Sequence, residues 1–200
     1  SHYLKLVLDA VFCSQGGEFQ NEIVWCYSIG GKSKKRFGRK HDVILFYTKS
    51  DRYIFNPKGT AIPRKQNSHI KLKTDPDGRQ FQEKKDRKTG KAYKYYLDEG
   101  KIAEDYWIDI ETLNREEKER LGYPTQKPEA LLERIIKASS NEGDTVFDAY
   151  CGSGTTVFVA NKLNRRWIGI DMNEASISLI IKRFENALGK DVLEKIELNK

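Results

Sequence analysis

The feature that most constrains the fold is a short apolar segment that ends in an aspartate and runs into a glycine turn, Phe147-Asp148-Ala149-Tyr150-Cys151-Gly152-Ser153-Gly154-Thr155-Thr156. Residues 145–148 and 167–171 have the apolar character of buried strands, and residues 155–163 between them predict a helix. A closing helix is expected from its cap at Asn173 to Leu188. Strand, glycine turn, helix, strand and helix in this order predict a βαβα unit with parallel strands and a right-handed crossover.

The glycine turn has the composition of a nucleotide-binding loop. Gly152 and Gly154 let a ligand approach the backbone, and the helix start after them offers free N–H groups. Asp171 ends the next strand, 23 residues after Asp148, where a carboxylate can accept both hydroxyls of a ribose. A tight turn without any ligand is the plain structural alternative.

Three kinds of nucleotide ligand can be compared with this loop. A phosphate-binding P-loop needs a lysine that is missing, and a dinucleotide fingerprint needs a third glycine where Val157 stands. A nucleoside without phosphates needs only the two glycines and the ribose carboxylate. S-adenosylmethionine fits that description, so the spacing favours it over a dinucleotide.

The first half of the chain predicts a helix, two strands and an irregular insertion. Leu4, Val7, Leu8, Val11 and Phe12 follow a helical period, and residues 22–27 and 43–48 are β-branched and aromatic runs. Residues 57–103 show no sustained period and are broken by prolines and turn pairs, which predicts a loop-rich insertion with short strands, one of them near 92–97. Regular structure is expected again at 102–110 and in a helix that starts at Pro128.

Charge is distributed unevenly along the chain. Residues 1–57 carry a net charge of +4, residues 58–103 carry +7, and residues 104–200 carry −4. The connection at 30–40 holds six basic residues and no acidic ones. This asymmetry suggests a polyanion bound to one lobe.

The remaining composition bears on class and compartment. No apolar run approaches the roughly 20 residues of a membrane span, and the N-terminus does not have the layout of a signal peptide. The three cysteines are far apart and favour reduced thiols over a disulfide framework, and no metal site is expected. Because no initiator Met is present, we expect that the chain begins inside a longer protein.

The glycine turn resembles the cofactor loop of the DNA amino-methyltransferases, the enzymes that act on adenine N6 or cytosine N4. Tyr123-Pro124-Thr125-Gln126-Lys127-Pro128 resembles the second cofactor motif of that family, which lies at a helix start and receives the methionine part of the ligand. Residues 22–25 and 40–47 resemble segments that follow the catalytic motif in type III-like modification enzymes. The order matches the subgroup in which the cofactor motifs come last. Ala149 departs from the proline often found there.

The resemblance implies an α/β fold, a doubly wound, Rossmann-like sheet of methyltransferase type that is incomplete in this chain and carries an irregular basic insertion. Residues 1–57 would be part of the methyltransferase core, 58–103 the DNA-recognition insertion, and 104–200 the part that binds S-adenosylmethionine. The implied cofactor-binding residues are Thr125, Gln126, Lys127, Asp148, Tyr150, Gly152, Ser153, Gly154, Thr155, Asp171, Met172 and Asn173.

The implied function is site-specific transfer of a methyl group from S-adenosylmethionine to adenine N6 in double-stranded DNA. Cytosine N4 as the target, a methyltransferase for RNA or protein, and a non-catalytic DNA-binding module that keeps the fold are the alternatives. The residues expected to contact DNA are Lys32, Lys34, Lys35, Arg36, Arg39, Lys40 and His41.

The family's catalytic motif is an Asp, Asn or Ser followed by Pro-Pro and an aromatic residue, which holds the flipped base. The five prolines of this chain are never adjacent, so no catalytic residue is assigned and the chain alone is expected to be inactive. A missing N-terminal half or a restriction subunit is the expected protein partner. The expected location is the cytoplasm of a prokaryotic cell, in association with the nucleoid.

Overall fold

The computed structural model describes residues 2–29, 33–64, 70–189 and 196. Its helices are α1 (His2–Phe12), α2 (Glu129–Ser139), α3 (Thr155–Lys162) and α4 (Glu174–Leu188). Its strands are β1 (Glu18–Cys26), β2 (His41–Thr48), β3 (Ala61–Ile62), β4 (Leu72–Thr74), β5 (Gln80–Lys85), β6 (Ala92–Tyr96), β7 (Lys101–Ile102), β8 (Tyr106–Trp107), β9 (Thr145–Asp148) and β10 (Arg166–Gly169). None of the described helices is both long and apolar enough to span a bilayer.

The chain divides into two compact units. Unit 1 combines residues 1–55 with 105–200, and unit 2 is residues 56–104. These boundaries lie within two residues of those expected from the sequence at 57/58 and 103/104. The functions assigned to the segments remain predictions.

The N-terminal part of unit 1 is a three-stranded sheet in the order β2-β1-β8. β1 and β2 pair antiparallel from Glu18 opposite Thr48 to Cys26 opposite His41, and β8 pairs parallel with β1. Trp25 of β1 is 1% exposed, and its indole N–H donates to the carbonyl of Ile110 at 2.7 Å. Both strands predicted from the aromatic and β-branched runs are therefore confirmed, with longer extents.

Helix α1 is confirmed, but the burial of its apolar stripe is not. Leu4, Val7 and Val11 are 57%, 58% and 48% exposed, and no residue of α1 is buried. The side that faces the sheet is anchored by polar contacts, because the Tyr47 hydroxyl donates to Asp9 at 2.6 Å. Leu4, Val7 and Val11 therefore have no cover among the described residues, whereas Phe12 packs against Tyr47 with 5.5 Å between the ring centres.

The C-terminal part of unit 1 is the predicted βαβα unit. β9 and β10 pair parallel, with Thr145 opposite Arg166 and Asp148 opposite Gly169. Helix α3 connects them and α4 packs beyond it. Their core consists of Cys151, Val157, Phe158, Ile180 and Phe184, with Trp167 packed against it. The parallel strands that the sequence predicted are confirmed, and their carboxyl ends meet at the glycine loop.

One face of the β9–β10 pair is exposed and apolar. Phe147 and Ile168 lie opposite each other and are 59% and 52% exposed, and Ile170 just beyond β10 is 52% exposed. The other face carries Val146 and Trp167, which pack toward α3. In the described part of the chain no strand pairs with the second edge of β9, consistent with the expectation of an incomplete sheet.

Unit 2 is more regular than the sequence predicted. β4, β5 and β6 form an antiparallel sheet in that order, and β3 pairs with β7. The expected strand near 92–97 is β6. β4 and β5 were missed because their residues are mostly polar, and only Phe81 and Gln82 of β5 are buried. The predicted loop-rich insertion with short strands therefore contains β4 and β5 as well, whose positions the sequence did not indicate.

Candidate functional site

The loop between β9 and α3 has a backbone that only glycine readily adopts at two positions. Gly152 and Gly154 have φ values of +50° and +73°. A Cβ atom on Gly154 would lie 2.4 Å from Cγ1 of Ile180, and one on Gly152 would lie 3.3 Å from the ring of Tyr123. The loop therefore requires both glycines for its conformation, and Gly154 also for the packing of α4.

Asp171 holds this loop with both carboxylate oxygens. Oδ1 accepts the N–H of Asn173 at 2.9 Å, and Oδ2 accepts the N–H of Gly152 at 2.8 Å. These two hydrogen bonds, the one from Asn173 first, hold the pKa of Asp171 below its usual range. A carboxylate can accept about four hydrogen bonds, so capacity remains for the hydroxyl groups of a ligand.

The ends of the two strands present exposed side chains beside the acids. Asp148 accepts the backbone N–H of Tyr150 at 3.0 Å through Oδ1. Tyr150 is 89% exposed and Met172, next to Asp171, is 99% exposed. Two carboxylates and two large, accessible side chains thus flank the mouth of the glycine loop.

The other predicted loop residues have structural partners. Ser153 is buried, and its hydroxyl lies 3.3 Å from that of Thr155. Asn173 caps α4, since its Oδ1 accepts the N–H of Ala175 at 2.9 Å. Cys151 is buried in the core and burial raises its pKa to about 11, so it remains a thiol. The contacts of these residues are therefore within the protein, where they stabilise the conformation of the loop.

The segment before α2 is held by its own side chains. Gln126 accepts the N–H of Leu121 at 2.8 Å and donates to the carbonyl of Glu119 at 2.6 Å. The carboxylate of Glu119 accepts the N–H of Glu129 at 3.0 Å, at the first residue of α2. The side chain of Glu119 therefore binds one of the helix-start N–H groups that were expected to bind a ligand carboxylate. Thr125 is exposed and makes no hydrogen bond with the described residues.

Lys127 points away from the glycine loop. Its ammonium lies 2.6 Å from Asp42 of β2 and 5.3 Å from the ring centre of Trp25. Its carbonyl faces the other way and accepts the hydroxyl of Thr155 at 3.1 Å. Lys127 thus connects β2 to the start of α3, with its ammonium on Asp42 and its backbone carbonyl on Thr155.

A buried arginine that sequence reasoning missed connects the parts of the site. Arg183 of α4 is 5% exposed and donates to Oε1 of Glu129 at 2.8 Å, to the Thr155 hydroxyl at 3.2 Å and to the Ser153 carbonyl at 3.4 Å. Its guanidinium also lies 4.5 Å from the ring centre of Phe158. The available signal was a charged residue at i+3 from Ile180 on an apolar helix stripe.

The acid in this network stays ionised although it is partly buried. Burial alone would raise the pKa of Glu129, but hydrogen bonds from Lys162 and Arg183 outweigh burial and lower that pKa. Lys162 lies 2.7 Å from Oε2 of the same carboxylate. Glu129 therefore anchors α2 to both α3 and α4 at neutral pH.

The predicted DNA-contacting residues lie in the connection between β1 and β2. Lys34, Lys35, Arg36 and Arg39 are exposed, and none of them forms an ion pair within the described residues. Phe37 between them is 99% exposed.

The remaining predicted residues of this connection differ from those four. Lys40 is partly buried and donates to the carbonyl of Ser28 at 2.5 Å. His41 is exposed at the first position of β2, opposite Cys26. Lys32 lies outside the described residues.

Gly154→Ala should destabilise the protein more than the same substitution at Gly143. Both glycines have positive φ, +73° and +82°, so each alanine costs about 1–2 kcal/mol of backbone strain. Only the alanine at 154 also meets Ile180, which adds about 1–3 kcal/mol for overpacking, whereas no atom lies within 4 Å of a Cβ at 143. Urea denaturation of both variants measures the difference. Equal losses would show that α4 does not constrain the loop.

A family profile described as DNA methylase matches residues 2–182. The type II methyltransferase M1.MboII of Moraxella bovis is 36% identical over 165 residues, which are 80% of this chain and 60% of that protein. The DNA adenine methyltransferase YhdJ of Escherichia coli strain K12 is 33% identical over 181 residues, or 88% of this chain and 55% of that protein. The chain thus spans little more than half of these relatives.

Solved structures show the same fold. The M1.HpyAVI–SAM complex superposes with a TM-score of 0.60 at 20% identity, covering 92% of this chain and 71% of that one. The cytosine-N4-specific PvuII DNA methyltransferase gives a TM-score of 0.63 at 16% identity, covering 98% and 61%. The predicted methyltransferase-type α/β fold is confirmed by this likeness.

Proposed function

The chain belongs to the DNA methylase family of adenine-N6 and cytosine-N4 enzymes, and from this membership we propose that the protein transfers a methyl group from S-adenosylmethionine to adenine N6 in double-stranded DNA. The observation that carries the proposal is the glycine loop at the carboxyl ends of two parallel strands, held by Asp171. Ligands of open α/β sheets bind at this edge.

The chemistry of the loop fits a cationic nucleoside without phosphates. Asp148 and Asp171 place two carboxylates at the mouth, and no lysine or arginine follows the glycines as in a phosphate site. Asp171 would accept the ribose hydroxyls, Asp148 would lie near the sulfonium, and the exposed side chains of Tyr150 and Met172 would cover the adenine. S-adenosylmethionine supplies the activated methyl group when bound.

The methionine end of the cofactor would be held differently from the first expectation. Lys127 is engaged with Asp42, so its ammonium reaches a ligand carboxylate only if that ion pair opens. Thr125 of this motif, which is exposed, and the backbone of Ser153 in the glycine loop are the groups proposed for this role. The motif's other contribution is structural, through the carbonyl of Lys127 and the side chain of Gln126.

Adenine N6 is proposed as the target because a relative named as a DNA adenine methyltransferase aligns with 88% of the chain at 33% identity. Cytosine N4 is the second candidate, favoured by the structural likeness to a cytosine-N4-specific enzyme. Methyl transfer to either amino group requires the same cofactor loop. The two candidate functions therefore differ only in the pocket that receives the base.

The basic connection between β1 and β2 is proposed to neutralise DNA phosphates. Lys34, Lys35, Arg36 and Arg39 are exposed and unpaired within the described part of the chain. Lysine and arginine side chains of this kind supply the salt-dependent part of DNA affinity. Because the proposed substrate is DNA, the proposed location is the prokaryotic cytoplasm, in association with the nucleoid.

The catalytic motif is proposed to come from outside these 200 residues, as an N-terminal half or a partner subunit. Two apolar surfaces support this proposal, the stripe of Leu4, Val7 and Val11 on α1 and the face of Phe147 and Ile168 on the strand pair. Contiguous apolar surface of this kind is characteristic of a contact with another protein segment. These residues alone would then bind ligands without transferring a methyl group.

Asp171→Ala should weaken binding of S-adenosylmethionine at least about tenfold, which corresponds to about 1.4 kcal/mol. The substitution removes the ribose acceptor and the bond that holds Gly152. Isothermal titration calorimetry of the 200-residue chain measures the change. Asp144→Ala is the matched control, because Asp144 also accepts a backbone N–H, that of Asn141, but at the opposite end of β9. Undiminished affinity in folded Asp171→Ala would contradict the assigned site.

Lys34→Ala combined with Lys35→Ala should reduce the salt dependence of duplex DNA binding. Each lost phosphate contact lowers the slope of log K against log salt concentration by about 0.9, so a fall of about 1.8 is expected. Fluorescence anisotropy of a labelled duplex across a NaCl series gives the slope. Lys5→Ala with Lys137→Ala removes the same charge from lysines that are paired with Asp9 and Glu133, and should leave the slope unchanged. A slope that both double variants share with the wild type would exclude the phosphate role.

Methyl-labelled S-adenosylmethionine should transfer its label to duplex DNA in the presence of the complete protein and not with the 200-residue chain alone. The chain has no adjacent prolines and therefore lacks the family's base-holding motif. Label recovered as N6-methyladenine supports the proposed target, and label at N4 of cytosine supports the second candidate. Label in RNA or protein but not in DNA would refute the proposed substrate.

A further inference from the structure

The three-stranded sheet of unit 2 has two faces with different side chains, which the strand register identifies. Residues directly opposite each other share a face, and alternate residues along a strand do so too. The first face, called here the paired face, carries Lys73, Phe81, Glu83, Lys85, Ala92, Lys94 and Tyr96. The second, called the open face, carries Leu72, Thr74, Gln80, Gln82, Lys84, Tyr93 and Tyr95.

The inner cations of the paired face are neutralised within unit 2. Lys73 lies 2.7 Å from Glu83 and Lys94 lies 2.5 Å from Asp75. Lys94 also lies over the ring of Phe81, at 4.5 Å from its centre. Two of the three lysines on this face therefore already have anionic partners, whereas Lys85 forms no ion pair among the described residues.

Arg79 completes the paired face at the edge of the sheet. Its guanidinium bonds to Asp98 at 2.9 Å and to Glu99 at 3.1 Å. It also stacks 3.9 Å from the ring centre of Tyr96. A phosphate approaching this side would meet the carboxylates as well as the cations, so its net attraction would be small.

The open face carries no acidic residue on any of its three strands. Lys84 and Arg64 lie 6.0 Å and 4.9 Å from the ring centre of Tyr95, and Lys91 lies 5.3 Å from that of Tyr93. None of these three cations forms an ion pair within the described part of the chain. Their charged groups lie near aromatic rings and have no anionic partner among the described residues.

Part of the open face is accessible, although Gln82 on it is buried. Lys84 and Gln80 are exposed and Tyr93 is 42% exposed. Positive charge interleaved with accessible aromatic rings and an exposed amide matches the needs of a nucleic-acid contact, in which cations meet phosphates and the amide can bond to a base edge. Such a surface gains most from an extended anion that reaches several cations at once.

We propose that the open face is the surface of unit 2 that contacts duplex DNA, with Lys84 and Lys91 on phosphates, and that the paired face is turned away from DNA. This assignment rests on the proposed function, in which the partner of the insertion is double-stranded DNA. Of the two basic faces of this sheet, the assignment selects the open face because its strands carry no acidic residue on that face.

The test compares two double variants that remove the same charge from opposite faces. Lys84→Ala with Lys91→Ala should weaken binding of a labelled duplex and lower the salt slope by about 1.8, because two phosphate contacts are lost. Lys73→Ala with Lys94→Ala removes two paired cations and should leave the slope at the wild-type value. Anisotropy titrations of the 200-residue chain across a NaCl series provide both slopes, and circular dichroism confirms that each variant is folded.

A reduced slope in the paired-face variant with an unchanged slope in the open-face variant overturns the assignment. Equal slopes in both variants and the wild type overturn it as well, and so does a wild-type chain that binds no duplex. Label transfer to DNA by the complete protein is measured separately. Transfer that persists in any of these cases preserves the proposed function while the assignment of the face fails.

Discussion

The glycine loop depends on one buried charge, the guanidinium of Arg183. A buried arginine is costly unless paired and hydrogen-bonded, and here Glu129, Ser153 and Thr155 supply those partners. Since these groups come from α2, the glycine loop and α3, a single side chain of α4 fixes three separate parts of the site. The packing of α4 in turn depends on Gly154, because a Cβ atom at that position would clash with Ile180 of α4.

The local parts of this site could be predicted from the sequence and the long-range parts could not. Gly152, Gly154 and Asp171 are recognisable because strand, turn and helix signals lie within a few residues of one another. The pairing of Lys127 with Asp42 joins residues 85 positions apart, which no spacing rule anticipates. The resemblance of the Thr125–Pro128 motif predicted a cofactor role for this segment but did not indicate that the lysine side chain extends toward Asp42.

Unit 2 shows a different limit of sequence reasoning. β4 and β5 have few apolar residues, so the periodicity that reveals a strand with one buried face is absent. Their order comes from the backbone ladder and from cross-strand ion pairs such as Lys73 with Glu83. Those pairs can be recognised only once the register is known, and the same register shows that Glu83, the acidic residue of these strands, lies on the paired face. A basic composition alone could not distinguish the two faces.

In the proposed function one chain takes two ligands of opposite sign, and the distribution of charge along the chain suits both. S-adenosylmethionine is a cation at its sulfonium, and its proposed site lies between Asp148 and Asp171 in a segment, 104–200, with a net charge of −4. DNA is a polyanion, and its proposed contacts lie in segments with net charges of +4 and +7. Because phosphates are repelled where the cofactor is attracted, neither ligand competes for the surface of the other. The uneven distribution of charge along the sequence is therefore a condition for the proposed reaction, in which both ligands must be bound at the same time.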